Sequence, residues 1–145
     1  MNDTIKDRFD DLMWHDATLL WIELDRRDPG NRDEIGLVVE WPDGRRNRLV
    51  FTDCYLLEAR MHFGIIASES ILSATCSADA PEVNKVRETC RRYGGDFTDL
   101  HRFEVETNST GGTIRVVARG FELREPPEDT WFPPGGSDDG DAPPA

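Results

Sequence analysis

Residues 14–27, WHDATLLWIELDRR, constrain the fold more than any other stretch of the chain. From residue 17 onward the apolar residues repeat with period two, which is typical of a β-strand. Both faces of this strand are apolar; they comprise Leu20, Ile22 and Leu24 on one side and Leu19 and Trp21 on the other. A strand of this kind lies centrally in a sheet, or has one face covered by a helix or a second subunit. The stretch therefore predicts an organising strand with two packed faces.

Two turn sequences divide the residues that follow. Residues 28–31 (DPGN) and 42–44 (PDG) favour turns, because Pro fixes φ and Gly or Asn accepts positive φ. Apolar residues alternate between and after these turns, at Ile35, Leu37, Val39 and Trp41 and then at Leu49 and Phe51. The pattern predicts a three-stranded antiparallel meander.

Period two continues beyond the meander. Thr52-Asp53 is expected to end the third strand, and a separate strand is expected over residues 55–63. The apolar side of that strand comprises Tyr55, Leu57, Ala59, Met61 and Phe63. Further strands are predicted near residues 70–76, 103–106 and 113–123. In the last of these the apolar side switches at Val116-Val117, which predicts a bulge or a change of the covered face.

Two segments have helical spacing. Residues 4–13 place apolar side chains at i, i+4, i+7 and i+8, and Asp3 or Thr4 is suited to cap the helix. Ala80 to Tyr93 is the clearer helix: Asp79 and Glu82 resemble a capping box, and Pro81 suits the first turn. The Gly pair at residues 94–95 is expected to end it.

These elements predict one α+β domain over residues 1–124. Its core would be an antiparallel meander sheet of about five to seven strands, with one main helix packed on a face and a short N-terminal helix. Residues 125–145 are rich in Pro, Gly and Asp, and a disordered acidic tail is expected there, in which Trp131-Phe132 is the one large apolar pair.

The charge distribution limits the kinds of partner. The net charge is −12, and the chain ends carry most of it. Binding to nucleic acid through phosphates needs a basic face, so nucleic acid is not an expected partner. A basic protein surface suits the charge better. The chain lacks a long apolar run and a signal-peptide pattern, which predicts a cytoplasmic protein that does not bind membranes.

Cysteine chemistry is thinly supported. Cys54, Cys76 and Cys90 form no CxxC pair, and an odd number of cysteines favours free thiols in a reducing compartment. Cys90 lies on the apolar stripe of the predicted helix and is interpreted as a small buried hydrophobe. Asp53 would raise the thiol pKa of its neighbour Cys54. Cys76 precedes a helix N-terminus and is the only one with an activating feature.

Five residues are candidates for a binding site: His15, Asp16, Trp21, His62 and His101. A histidine beside a carboxylate suits acid–base work near neutral pH. Strand alternation would, however, point His15 and Asp16 to opposite faces, so a structural role for the pair is favoured. The three histidines show no metal-ligand spacing, and no metal or cofactor is expected. Trp14, Trp21 and Trp41 suit either a binding patch or core and dimer packing.

Three stretches carry a resemblance to a protein family. They are His15-Asp16-Ala17 running into LLWIEL, the later VFTDCYLLEARMHFG, and the closing hairpin. Over residues 14–124 the chain resembles small uncharacterised bacterial proteins of immunity-protein type. The resemblance implies a compact α+β protein that inhibits a cognate toxin by binding it. It transfers no functional residue.

Two functions from different classes follow. The first is a non-enzymatic protein-binding or inhibitor protein whose acidic surface meets a basic partner. The alternative is a small hydrolase or ligand-binding enzyme that uses a cluster of His15, His62 and His101 with acids, which requires those groups to converge in one pocket. A homodimer formed through the doubly apolar first strand is compatible with either function.

Overall fold

The computed structural model describes residues 4–94 and 97–126. The described residues form the elements α1 (Ile5–Asp10), β1 (Thr18–Leu24), β2 (Ile35–Glu40), β3 (Arg46–Arg60), β4 (Glu69–Ser77), α2 (Pro81–Arg91), β5 (His101–Thr107) and β6 (Thr113–Arg124). The predicted tail, with its Trp131-Phe132 pair, lies outside the described residues except for Glu125 and Pro126. No helix in the described ranges combines the length and the apolar character needed to cross a membrane.

The six strands close into an antiparallel barrel in the order β1-β2-β3-β6-β5-β4. Closure between β1 and β4 is short, and consists of the pairs Thr18–Ser70 and Leu19–Glu69. The predicted meander sheet with a helix packed on one face is therefore wrong, because β3 pairs with β6 and the first strand meets the fourth. The predictions of antiparallel pairing and of helices beside the sheet are confirmed.

Strand β3 is one continuous strand of 15 residues, so the predicted break at Thr52-Asp53 is wrong. Asp53 has a φ of 54°, and the pairing register with β6 shifts between Cys54 and Leu56. This bulge bends the strand without ending it. We call residues 46–51 the proximal half of β3, which pairs with β2 throughout and with β6 from Arg48 onward. Residues 55–60 are the distal half, which pairs with β6 from Leu56 onward.

An aromatic cluster fills the barrel. Helix α1 buries Phe9 completely, and its ring lies 5.0 Å from that of Phe103 and 6.3 Å from that of Phe51. The indole nitrogen of Trp14 donates to the Phe9 carbonyl at 2.7 Å, and that of Trp41 to Asn47 at 2.8 Å. Trp14 and Trp41 are thus core residues, and the interpretation of an exposed tryptophan patch is wrong for both.

The doubly apolar pattern of β1 has a local cause. The register between β1 and β2 shifts between Leu19 and Trp21. Leu19 belongs to the barrel core, and beyond the shift Ile22 packs against the same core. Part of the second apolar face is therefore a change of register within one strand, since a bulge moves the following side chains to the other face.

Helix α2 packs on the outside of the barrel, where Val83 and Val86 are buried against Leu100 and Val117. Val116 belongs to the interior core, so the neighbouring valines face opposite covered sides. The predicted switch is a change of covered face, and the register shift in this ladder lies on β3. The N-cap residue of α2 is Ala80 and makes no side-chain cap, so the capping role predicted for Asp79 is wrong.

The N-terminal helix is shorter than predicted, but its cap is confirmed. The side chain of Thr4 accepts a hydrogen bond from the Asp7 amide at 3.1 Å. At the other end, Asp10 accepts from the amide of Cys76 at 2.9 Å, and Lys6 donates to the Cys76 carbonyl at 3.0 Å. Helix α1 therefore occupies backbone groups of β4 that no strand reaches, which protects that strand from unwanted pairing.

Candidate functional site

Two open cavities flank the distal half of β3. One, of about 460 Å³, lies between this half and α2, and its apolar lining includes Leu56, Val86 and Cys90. The other, of about 650 Å³, lies on the opposite side, where Leu24 and Leu57 line it with residues of the β1–β2 loop. Binding sites favour concave surfaces of this size with apolar linings. The distal half is therefore the part of the barrel wall that is accessible from two sides.

The loop that follows β3, residues 61–68, exposes large apolar side chains. Phe63 is 89% exposed, Ile66 is 102% exposed and Ile65 is 47% exposed. We call these three residues the apolar tip. Single exposed apolar residues are ordinary on protein surfaces, but a cluster on one short loop is a mark of an interaction site.

The turn between β5 and β6 contacts the residues at both ends of the 61–68 loop. Thr107 and Thr110 are buried, and Thr110 donates to the carboxylate of Glu69, where β4 begins. The Thr107 hydroxyl accepts from the Gly112 amide at 2.8 Å. A Cβ on Gly112 would lie 2.8 Å from the Arg60 carbonyl oxygen, where β3 ends. Close packing at both stems positions the apolar tip before any partner binds, which lowers the entropic cost of binding.

Charges along the distal half are only partly paired. Glu58 faces Arg115 at 3.9 Å, and half of the Glu58 side chain is exposed. Arg115 is engaged more closely by Glu104, at 2.6 Å, and this hydrogen bond raises the pKa of the guanidinium. Arg60 is exposed, and within the described residues it makes no ion pair. Both Glu58 and Arg60 are thus available for contacts outside the chain.

His15 and Asp16 lie in a turn before β1, where Asp16 has a φ of 72°. The prediction that strand alternation separates them is wrong, because neither residue is in a strand. Nε2 of His15 lies 3.8 Å from the Asp16 carboxylate, and both side chains are more than 70% exposed. Nδ1 of His15 lies 3.3 Å from the Leu72 carbonyl oxygen. A contact of this length between two exposed side chains contributes little to stability.

The other candidates are spread over the barrel. His62 is exposed just after β3 ends, whereas His101 begins β5 opposite Ala118. His62 follows Arg60, whose partner on β6 is Thr113, while the partner of His101 on β6 is Ala118. These two positions on β6 are five residues apart, which corresponds to about 17 Å along the strand. Burial lowers the pKa of His101, while Asp99 opposes that effect. Trp21 is half-buried on β1 opposite Val38. Among the described residues no hydrogen bond or ion pair joins the three histidines, and no metal-binding cluster occurs in the described ranges.

The three cysteines are free thiols, as predicted. Cys76 is completely buried, and burial raises its pKa to about 12, so its position before α2 does not activate it. Burial likewise raises the pKa of Cys54 to about 12. Cys90 packs against the apolar cluster under α2, as predicted for a small hydrophobe, but it is only partly buried. Nucleophilic chemistry needs the thiolate, which these pKa values disfavour for Cys54 and Cys76.

The sequence interpretation missed the apolar tip and the open edge of β3. Alternation assigned Tyr55 and Phe63 to the covered side of a half-exposed strand. The bulge at Cys54–Leu56 instead turns Tyr55 toward Phe97, with ring centroids 5.2 Å apart, and Phe63 lies beyond the end of the strand. One signal in the sequence could have indicated the apolar tip. Gly64 interrupts the alternation, and the two isoleucines that follow it do not continue the apolar side of the strand.

Comparison of the chain with protein-family models, curated proteins and solved structures found no match. The resemblance to immunity-type proteins therefore stays a prediction, and the site has to be interpreted from its own geometry.

Proposed function

We propose that this chain is a non-enzymatic protein-binding protein, of the inhibitor type, and that the apolar tip is its main contact. The observation that carries the proposal is the near-complete exposure of Phe63 and Ile66 on a loop whose ends contact the β5–β6 turn through Glu69 and the Arg60 carbonyl. Aromatic and branched apolar side chains that enter a partner pocket dominate binding energy at protein interfaces. An anchor of this kind needs no catalytic group.

The charge of the chain supports a protein with a basic surface as the partner. A net charge of −12 attracts such a surface over long range and raises the association rate at low salt. The same charge disfavours an anionic membrane as the target of the apolar tip, since membrane-binding loops combine apolar and basic residues. A toxin neutralised by its inhibitor fits this chemistry.

The experiment uses the products of genes adjacent to the one for this chain as candidate partners. Binding of each purified product to the wild-type chain is measured by calorimetry at about 50 mM and about 300 mM salt. The double variant F63S/I66S is expected to bind at least about tenfold more weakly, because the loss of two anchors of more than about 1 kcal/mol each exceeds the roughly 1.4 kcal/mol of a tenfold change. The matched control is Tyr93→Ser, which removes another exposed large apolar side chain, away from the loop.

Two results would overturn the proposal. One is a cognate partner whose affinity is unchanged by F63S/I66S. The other is an equal loss of affinity in the Tyr93→Ser control, which would indicate a general effect on the surface. The enzyme alternative, with a cluster of His15, His62 and His101, stays a prediction that no contact between these residues favours.

A further inference from the structure

The distal half of β3 has a free edge. The proximal half pairs with β2 as far as Phe51, whereas residues 56–60 of the distal half pair with β6 on one side. Backbone contacts among the described residues give the other side no partner beyond the hydrogen bond from the Cys54 amide to the Asp33 carbonyl. A free edge presents unpaired N–H and C=O groups that another strand can join.

The sequence along this edge is self-complementary about Ala59. If two copies of residues 57–61 (LEARM) are aligned antiparallel about this residue, Glu58 of each copy lies opposite Arg60 of the other. Leu57 of each copy lies opposite Met61, and the central residue pairs with itself. Opposite charges and apolar pairs at directly opposed positions stabilise an antiparallel ladder.

The structure presents these residues as such a ladder requires. Glu58 and Arg60 are exposed on the outer face, where Arg115 approaches Glu58 only to 3.9 Å. Leu57 and Met61 lie on the inner face and pack against the barrel core, so their counterparts would extend that core. The small exposed side chain of Ala59 allows close approach at the centre.

We propose that a second copy of the chain pairs with this edge, so that two distal halves of β3 form an antiparallel ladder about a twofold axis at Ala59. The occupant is a second copy because each charge on the edge finds its opposite on the same edge. A twofold interface places the same surface patch on both subunits, and the edge is complementary to itself in this register.

This interface is different from the site of the proposed function. The apolar tip lies beyond the paired residues 57–61, and Ile65 and Ile66 are expected to stay accessible at each end of the shared ladder. The interface also differs from the dimer that the apolar faces of β1 predict, since β1 takes no part in it. Loss of dimerisation and loss of partner binding can therefore be observed separately.

The experiment measures the mass of the full chain by light scattering and sedimentation between about 5 µM and about 200 µM. The wild-type chain is expected to approach twice its mass of 16.5 kDa at the higher concentration. Glu58→Arg places an arginine opposite Arg60 of the other copy at two positions of the ladder. This repulsion is expected to weaken dimerisation at least about tenfold. The double swap E58R/R60E restores opposite charges in the same register and is expected to restore the dimer.

The control variant is Glu106→Arg, which makes the same charge change at an exposed position of β5, a strand paired on both sides. It is expected to leave dimerisation unchanged, and circular dichroism verifies that each variant is folded. A monomeric wild-type chain at about 200 µM would overturn the proposal, as would a dimer that Glu58→Arg leaves intact or that the double swap does not restore. F63S/I66S is measured in parallel, and its effect on the partner complex reports on the proposed function alone.

Discussion

The two halves of β3 belong to one strand but have opposite environments. In the proximal half, Leu49, Val50 and Phe51 are at most 1% exposed, with strands on both sides. In the distal half, Glu58, Ala59 and Arg60 are exposed and one edge is open. Ladder pairing and core burial stabilise the first half, whereas the second retains the groups that an interaction requires. Stability and binding are thus separated along a single strand.

The largest expected effect contrasts two phenylalanines at the two ends of this region. Phe51→Ala is expected to destabilise the fold by about 3–5 kcal/mol, because the ring is buried against Phe9 and Phe103 and leaves a cavity. Phe63→Ala is expected to change the free energy of unfolding by no more than about 0.5 kcal/mol, since the ring is 89% exposed. Urea unfolding of both variants measures the two changes in the free energy of unfolding. Similar losses of stability in the two variants would contradict the expected difference between the halves.

A smaller effect is expected at the joint between the halves. Asp53 has a φ of 54°, a region that a β-branched residue tolerates poorly. Asp53→Val is therefore expected to cost about 1–2 kcal/mol of stability. Asp53→Gly relieves the backbone strain but adds freedom to the unfolded chain, so its net effect is expected within about 0.5 kcal/mol. Urea unfolding of the two variants measures these effects. If Asp53→Val is as stable as the wild-type chain, the bend in β3 does not depend on the positive φ at residue 53.

The smallest expected effect is a dependence of stability on pH that arises from His101. This residue pairs with Ala118 on β6, and Ala118 pairs on its other side with Cys54, next to the bulge. Burial lowers its pKa below the ordinary value of 6.5 in the folded chain, and this effect outweighs the opposing effect of Asp99. Below pH 6.5 the unfolded chain therefore binds the proton first, and stability falls as the pH falls toward the folded pKa. His101→Gln is expected to lose less stability than the wild-type chain between pH 7 and pH 5. Urea titrations at the two pH values measure this difference, and equal losses would contradict it.

Local pattern predicted much of the fold. Alternation located β1, β2 and the β5–β6 hairpin, and helical spacing located both helices. The closure of the barrel was not predictable in this way, because two pairs between residues distant in sequence, at Thr18 and Leu19, decide it. The continuity of β3 was missed because Thr52-Asp53 has the composition of a strand end, while the surrounding ladder keeps Asp53 within the strand.

The candidate site was less accessible to sequence reasoning than the fold. His15 and His62 attracted attention because of their chemistry, yet the structure places the pair at residues 15–16 in a turn with both side chains more than 70% exposed. The apolar tip has ordinary core residues in its sequence, and only the position of Phe63 and Ile66 beyond the last ladder pair exposes them. Exposure of this kind depends on where the strand ends, which tertiary pairing decides.

Hydrogen exchange of the β3 amides at two protein concentrations tests the difference between the halves most directly. The proximal half is expected to be equally protected at about 5 µM and about 200 µM, because β2 and β6 cover both of its edges. The distal half is expected to gain protection at the higher concentration, when a second copy covers the open edge. Full protection of residues 57–60 at the lower concentration, or no gain at the higher, would contradict the account of an edge left open for pairing.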